Sequence, residues 1–434
     1  MLPLAPRPVA AVKTLETLQE QERSGAGLSP VETDHAGALK AALTRARTYD
    51  RLPASDKDKG PDDFTVWAAS VPDFVSPEAE HDIDARVAEA VRAALLDQPG
   101  QWSRYELPPE AWRLADTCGR IEAAIARLAA RRASRDFTAL VVAGDEEGWT
   151  LAEPPAVGTL GTGRISATTR RAPSGEPVVL LDNGIFAFAR MLAQLGVTAM
   201  HEQREAGRPG RATAELVSDL VAAQVVMGTC DGTYARLIPP PRAATARAVQ
   251  DSVVTFVVAH EYAHLLNGDL DAHPPAGPPG GGLRERESAA DGKALRITLS
   301  AAATPGADDA PVLGPVLFLA GLDLLGRARA AYEDRAADRL ADDPRPDPRE
   351  RMTEMLATVR GSQLGAVYAD SIAAASRAYD LVLTAWDTVR PAVREAAGEL
   401  ARHARAGAGP SYLPEGAHHV ATTTLWRHVE PYLD

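Results

Sequence analysis

Val257-Val258-Ala259-His260-Glu261-Tyr262-Ala263-His264-Leu265-Leu266 is the stretch on which the reading of this chain turns. On a helix, residues four apart lie one above the other on the same face. Two imidazoles so placed can hold one tetrahedral zinc ion. Glu261, next to that face, is suited to take a proton from a water that the ion activates. With 10 histidines in 434 residues, HExxH arises by chance in roughly one chain in a hundred of this composition. The flanks are uncharged, apolar and free of proline, as a helix set into a core requires. Asn267-Gly268 follows as a helix stop.

A catalytic zinc needs a third protein ligand and one open position. The arrangement HExxHxxGxxH fails, because Asn267 and Leu270 occupy its glycine and third-histidine positions. His273 lies in a proline- and glycine-dominated loop. The following segment, Arg284-Glu285-Arg286-Glu287-Ser288-Ala289-Ala290-Asp291, sets Glu287 and Asp291 four apart on one helix face. Glu287 is the expected third ligand, and Asp291 is expected to accept the outer N–H of His260, fixing its tautomer. Glu285 is the rival ligand, but four residues on it meets Ala289. Small residues at 288–290 let this helix approach the first. The intact Glu261, and the lack of an evident fourth ligand, favour a hydrolytic site. The alternative is a non-catalytic, zinc-stabilised helical interaction or regulatory protein.

HEYAH followed by ESAAD resembles the gluzincin zinc metallopeptidases, whose pattern is HExxH…ExxxD and of which thermolysin is the familiar member. The ExxAD spelling is similar to that of the minimal gluzincins, which include the CAAX-prenyl endopeptidase, phage-exclusion Lit and ImmA/IrrE types. Asp347-Pro348-Arg349-Glu350-Arg351-Met352 is similar to an HPxxxRI-like segment found after the third ligand in several of them, with Asp347 in place of the histidine. The resemblance covers roughly Pro177 to Leu356. It implies a zinc-dependent peptidase acting on a protein or peptide. The implied fold is α+β and predominantly helical: a minimal zincin-like core, with a small mixed sheet over the HExxH helix, plus helical N- and C-terminal additions. The sheet's edge would bind an extended substrate by backbone pairing, with Phe137–Val142 and Pro177–Leu181 as its strands. The membrane-spanning members of the group have hydrophobic helices that this chain lacks.

Outward from the motif, the chain divides by pattern. Residues 1–75 are poorly patterned. Residues 76–135 carry helical periodicity over Asp82–Leu96 and Trp112–Arg131. Residues 136–360 hold the expected peptidase core, and 361–434 a helical region and tail. Gly158-Thr159-Leu160-Gly161-Thr162-Gly163 reads as turn chemistry or one further strand, with no phosphate-loop context. Helices are expected over Ile185–Leu195, Ala212–Met227, Ala243–Leu266, Arg284–Ser300, Pro315–Leu340, Arg351–Leu356 and Ala366–Ala404.

The net charge of −13 argues against nucleic-acid binding, which draws on lysine and arginine; Arg131-Arg132 and Arg170-Arg171 are short enough to be solvated helix ends or loops. Two distant cysteines, Cys118 and Cys230, make neither a disulfide framework nor a Cys-based zinc site. Met1 to Val12 lacks the pattern of a signal peptide. The longest uncharged apolar run, Pro311 to Leu322, is too short to span a bilayer. The expectation is a soluble, cytoplasmic protein. A regulatory partner, the N-terminal tail or the helical part at 366–404 could restrain the enzyme. Tyr332, Arg351, Tyr368 and His403 are the groups weighed for stabilising a developing oxyanion, while Tyr262 turns away from the ligand face. His418, His419 and His428 are read as tail residues and not as a second metal site.

Overall fold

The fold comes from a computed structural model, which describes residues 155–160, 164–171, 177–182, 184–228, 240–270, 282–302, 309–333, 347–407 and 417–433, with a few positions between 140 and 151. The helical segments read at 82–96 and 112–131, both cysteines and His273 lie outside these residues.

Three strands form one sheet in the order β1-β3-β2. They are β1 (Ala156–Leu160), β2 (Ala167–Arg171) and β3 (Pro177–Asp182). β3 pairs parallel to β1 and antiparallel to β2. Its sequence, Pro-Val-Val-Leu-Leu-Asp, is buried along its whole length, as a continuous apolar run requires of a central strand. Proline stands at its first position, where a missing N–H does least harm. Two sequence expectations change here, and one open alternative is decided. Leu140, within the expected strand Phe137–Val142, is helical. Of the two alternatives for the glycine-rich segment, a turn or a further strand, Gly158 to Leu160 take the strand, as part of β1. Arg170 and Arg171 end β2, whose outward residues tolerate charge because the strand lies at the sheet edge. β3 therefore has neighbours on both sides, and among the described residues the edge strand packed on the HExxH-bearing helix is β2.

The rest is helical. α1 spans Gly184–Ala206 and α2 Arg211–Val221, the latter running into a π turn over Ala222–Val226. α3 spans Pro240–Leu266 and carries HExxH; α4 spans Leu283–Ser300 and carries Glu287 and Asp291. α5 (Ala310–Tyr332), α6 (Pro348–Arg360), α7 (Gln363–Val367), α8 (Ala369–Gly407) and α9 (Ala417–Val429) follow. α5 begins before Pro315, because Pro311 in its first turn is already compatible with helix. His418, His419 and His428, read as tail residues, lie on α9.

One buried cluster runs from Leu140 to Val429 and gathers all these elements. α5 passes through its centre. It is long and apolar enough to cross a membrane by length and composition, but 67% of its most apolar window is buried in the protein. Glycines bring it close to its neighbours. A Cβ at Gly314 would lie 2.7 Å from Val253 N of α3, and one at Gly321 would lie 2.8 Å from Phe188 Cζ of α1. Phe318 meets both Phe188 and Phe256 edge-on, with ring centroids 6.1 Å apart in each pair. That aromatic cluster seats α3 one turn before His260.

α3 ends as a Schellman motif. Gly268 adopts φ +71°, a left-handed conformation that favours glycine. Gly268 N–H donates to Leu265 O at 3.0 Å and Asp269 N–H to His264 O at 3.1 Å. The chain therefore turns back under the last helical turn, and Asp269 comes to lie beside His264.

Candidate metal centre

His260 and His264 project from adjacent turns of α3, with their Nε2 atoms 3.1 Å apart. Glu287 reaches them from α4, its Oε2 3.5 Å from His260 Nε2 and its Oε1 3.7 Å from His264 Nε2. One ligand atom from each of the three lies within 4.8 Å of the others. Zinc bonds of about 2.0–2.1 Å in a tetrahedron give ligand–ligand edges of about 3.3–3.4 Å. The observed separations bracket that edge, so the donor set fits zinc in both chemistry and spacing. The three side chains keep 13%, 15% and 21% of their surface exposed, which leaves an approach from solvent.

Each imidazole turns its other nitrogen to a carboxylate. His260 Nδ1 lies 2.9 Å from Asp291 Oδ1, and His264 Nδ1 lies 2.7 Å from Asp269 Oδ2. A carboxylate at Nδ1 draws the proton there and leaves the Nε2 lone pair for a cation. Asp269 was not singled out in the sequence. The signal that could have found it is the helix stop itself, since a Schellman turn at Gly268 returns the next residue to the helix end.

Asp291 is fully buried, and its charge needs more than one partner. Arg351, from the first turn of α6, supplies it: Nε donates to Oδ2 at 2.6 Å and Nη2 to Oδ1 at 2.8 Å. Nη2 also lies 3.3 Å from Glu287 Oε2. Arg351 is thus committed to the two carboxylates behind the site. Asp347, where the resembling segment has histidine, caps α6, its Oδ1 accepting from Arg349 N at 2.7 Å. α4 and α6 approach closely because residue 292 is glycine; a Cβ there would lie 2.7 Å from Thr358 Cγ2. On the surface, Arg284 of α4 pairs with Glu350 of α6 at 2.5 Å.

The electrostatics favour a cation. Burial works to push His260 down, but the Asp291 and Glu287 carboxylates outweigh it and raise its pKa to about 10. Burial works to raise Glu287 and Asp291, yet the charge on His260, with Arg351, holds both below the usual carboxylate range. Two ring nitrogens and a carboxylate this close need a positive charge among them, carried by a proton or by a metal ion.

Glu261, between the two histidines, is 7% exposed. Thr169 of β2 donates to its Oε2 at 2.6 Å, and the same hydroxyl lies 3.1 Å from the Glu261 carbonyl oxygen. Tyr262 is fully buried, on the side of the helix away from the ligands. Among the groups weighed for oxyanion binding, Arg351 faces carboxylates and Tyr368 is fully buried at the end of α7. Tyr332 closes α5, and the side chain of His403 lies outside the described residues.

No protein-family model matches the chain, and neither a curated protein nor a solved structure matches it.

Proposed function

We propose that this protein is a zinc-dependent peptidase of the gluzincin type, with His260, His264 and Glu287 as metal ligands and Glu261 as general base. The reading rests on the convergence of those three ligand groups from two helices, with the Glu261 carboxylate on the residue between the two histidines. Zinc bound there would supply a Lewis acid that polarises a carbonyl and acidifies water. Glu261 takes the proton from the attacking water and delivers it to the departing nitrogen. The water oxygen forms a bond to the carbonyl carbon, the C–N bond breaks, and the products are a carboxylate and an amine. Asp291 and Asp269 hold the two imidazoles in the tautomer that binds metal. Arg351 holds Asp291 and Glu287 in place.

The substrate in this reading is an extended peptide that pairs with the edge of β2 left unpaired among the described residues. That strand runs beside α3, as the bond from Thr169 to Glu261 indicates, so a peptide added to it lies over the ligand face.

The test is zinc content and peptide cleavage in wild type, Glu261→Gln and Glu287→Ala. The expected result is one zinc per chain with cleavage in wild type, zinc without cleavage in Glu261→Gln, and sharply weakened zinc binding in Glu287→Ala. Unchanged zinc affinity in Glu287→Ala removes the third ligand from the reading. Full biological activity in Glu261→Gln would instead favour a zinc-stabilised interaction protein.

A further inference from the structure

We infer that Thr169 is a positioning residue for Glu261, holding one carboxylate oxygen so that the other is presented to the water. The inference rests on the peptidase reading and adds to it a group from a different layer of the fold. Thr169 is the one buried residue of β2, at 8% exposure. It pairs with Val179 on the central strand, so its backbone is fixed from the sheet side. Its hydroxyl crosses from the sheet to α3 and meets Glu261 Oε2 at 2.6 Å, a separation typical of a hydrogen bond to an ionised carboxylate.

The geometry has a chemical consequence. A glutamate side chain has three rotatable bonds, the last of which turns the carboxylate, so an untethered general base samples several orientations. A short bond to Oε2 selects one of them and leaves Oε1 as the acceptor. The Glu261 carbonyl oxygen lies 3.1 Å from the same hydroxyl. The hydroxyl therefore has a second acceptor on the same residue, to which it can turn while the carboxyl carries a proton. The strand that would bind substrate and the base that would activate the attacking water are thereby held in one register.

Thr169→Val keeps the branched shape that suits a strand and removes the hydroxyl. The variant is expected to keep the zinc content of wild type, with a lower unfolding midpoint because a buried carboxylate loses a hydrogen bond. In a crystal structure of the zinc-loaded full chain, the Glu261 carboxylate should leave its wild-type position or occupy several. For a peptide that wild type cleaves, kcat should fall about ten- to a hundredfold, as it does when groups that orient metal ligands are removed. KM should stay near the wild-type value, because Thr169→Val leaves unchanged the β2 backbone that would pair with substrate. Thr169→Ser, which restores the hydroxyl, should return the carboxylate and most of kcat. A Glu261 carboxylate in the wild-type rotamer in Thr169→Val overturns the inference. So does a kcat within twofold of wild type, or a Ser variant as impaired as the Val variant. The crystallographic result does not depend on turnover. A wild type that cleaves nothing therefore ends the peptidase reading alone, and the carboxylate position still decides the role of Thr169.

Discussion

Arg351 grips Asp291 with two parallel hydrogen bonds, at 2.6 and 2.8 Å, while Asp291 in turn lies 2.9 Å from Nδ1 of His260. A guanidinium fork, a buried carboxylate and an imidazole thus form one line from α6 through α4 to α3. Arg351→Ala leaves the Asp291 charge buried without its main partner, which costs about 3–5 kcal/mol in comparable pairs. Zinc affinity should fall about ten- to a hundredfold. Arg351→Lys keeps the charge but loses the fork, and should lie between the two. Chemical denaturation and competition with a chelator measure both effects.

Gly268 governs the second imidazole. Gly268→Ala places a side chain at φ +71°, a strain of about 1–2 kcal/mol. It also disturbs the turn that holds Asp269 at His264. The expected result is a lower unfolding midpoint with weakened zinc binding. Asp269→Ala should reproduce the loss of zinc affinity without the backbone strain. Calorimetric unfolding with and without zinc separates the two contributions.

Gly292 sets the distance between α4 and α6. Gly292→Ala puts a methyl group 2.7 Å from Thr358 Cγ2, and overpacking of this kind costs about 1–3 kcal/mol. If the close approach is what delivers Arg351 to Asp291, zinc binding weakens as well. Adding Thr358→Ala should recover part of both losses. A double-mutant cycle on stability and on zinc affinity should show that non-additivity; strictly additive effects would place the strain elsewhere.

Tyr379 of α8 donates to the buried Asp323 of α5 at 2.8 Å. Burial and that carboxylate hold its phenol well above the ordinary range. Because the folded value is raised, the unfolded chain gives up this proton first, near pH 10. The stabilisation is therefore complete below about pH 10 and is lost as pH rises beyond it. Tyr379→Phe should cost about 1.5–3 kcal/mol at neutral pH, since the bond is to a charged acceptor. Above pH 10 its deficit relative to wild type should narrow by about 1.4 kcal/mol per pH unit. Urea unfolding from pH 7 to 11 tests this, and a gap that stays constant throughout contradicts it.

Helix positions were legible where apolar periodicity was long. α4 was expected from Arg284 and starts at Leu283; α3 was expected from Ala243 and starts at Pro240. The sheet was harder to read. β3 is legible from its apolar run Pro177–Leu181. β2, Ala-Thr-Thr-Arg-Arg, has one buried side chain and no alternation to mark it. The helical state at Leu140 shows the opposite case, a β-like composition overridden by its surroundings.

Within the site, the amino-acid order alone determined what lies within one or two helical turns: His260 and His264 on one face, Glu261 between them, Glu287 and Asp291 four apart, and the helix stop at Gly268. Those relations follow from 3.6 residues per turn and from backbone sterics, which are local. Only the tertiary structure decided that Arg351 clamps Asp291, 60 residues away, and that Thr169 reaches Glu261, 92 residues away. Such pairings depend on how closely helices and sheet can pack, through Gly292, Gly314 and the central β3. Packing is a property of the whole core, and no short stretch of the chain encodes it.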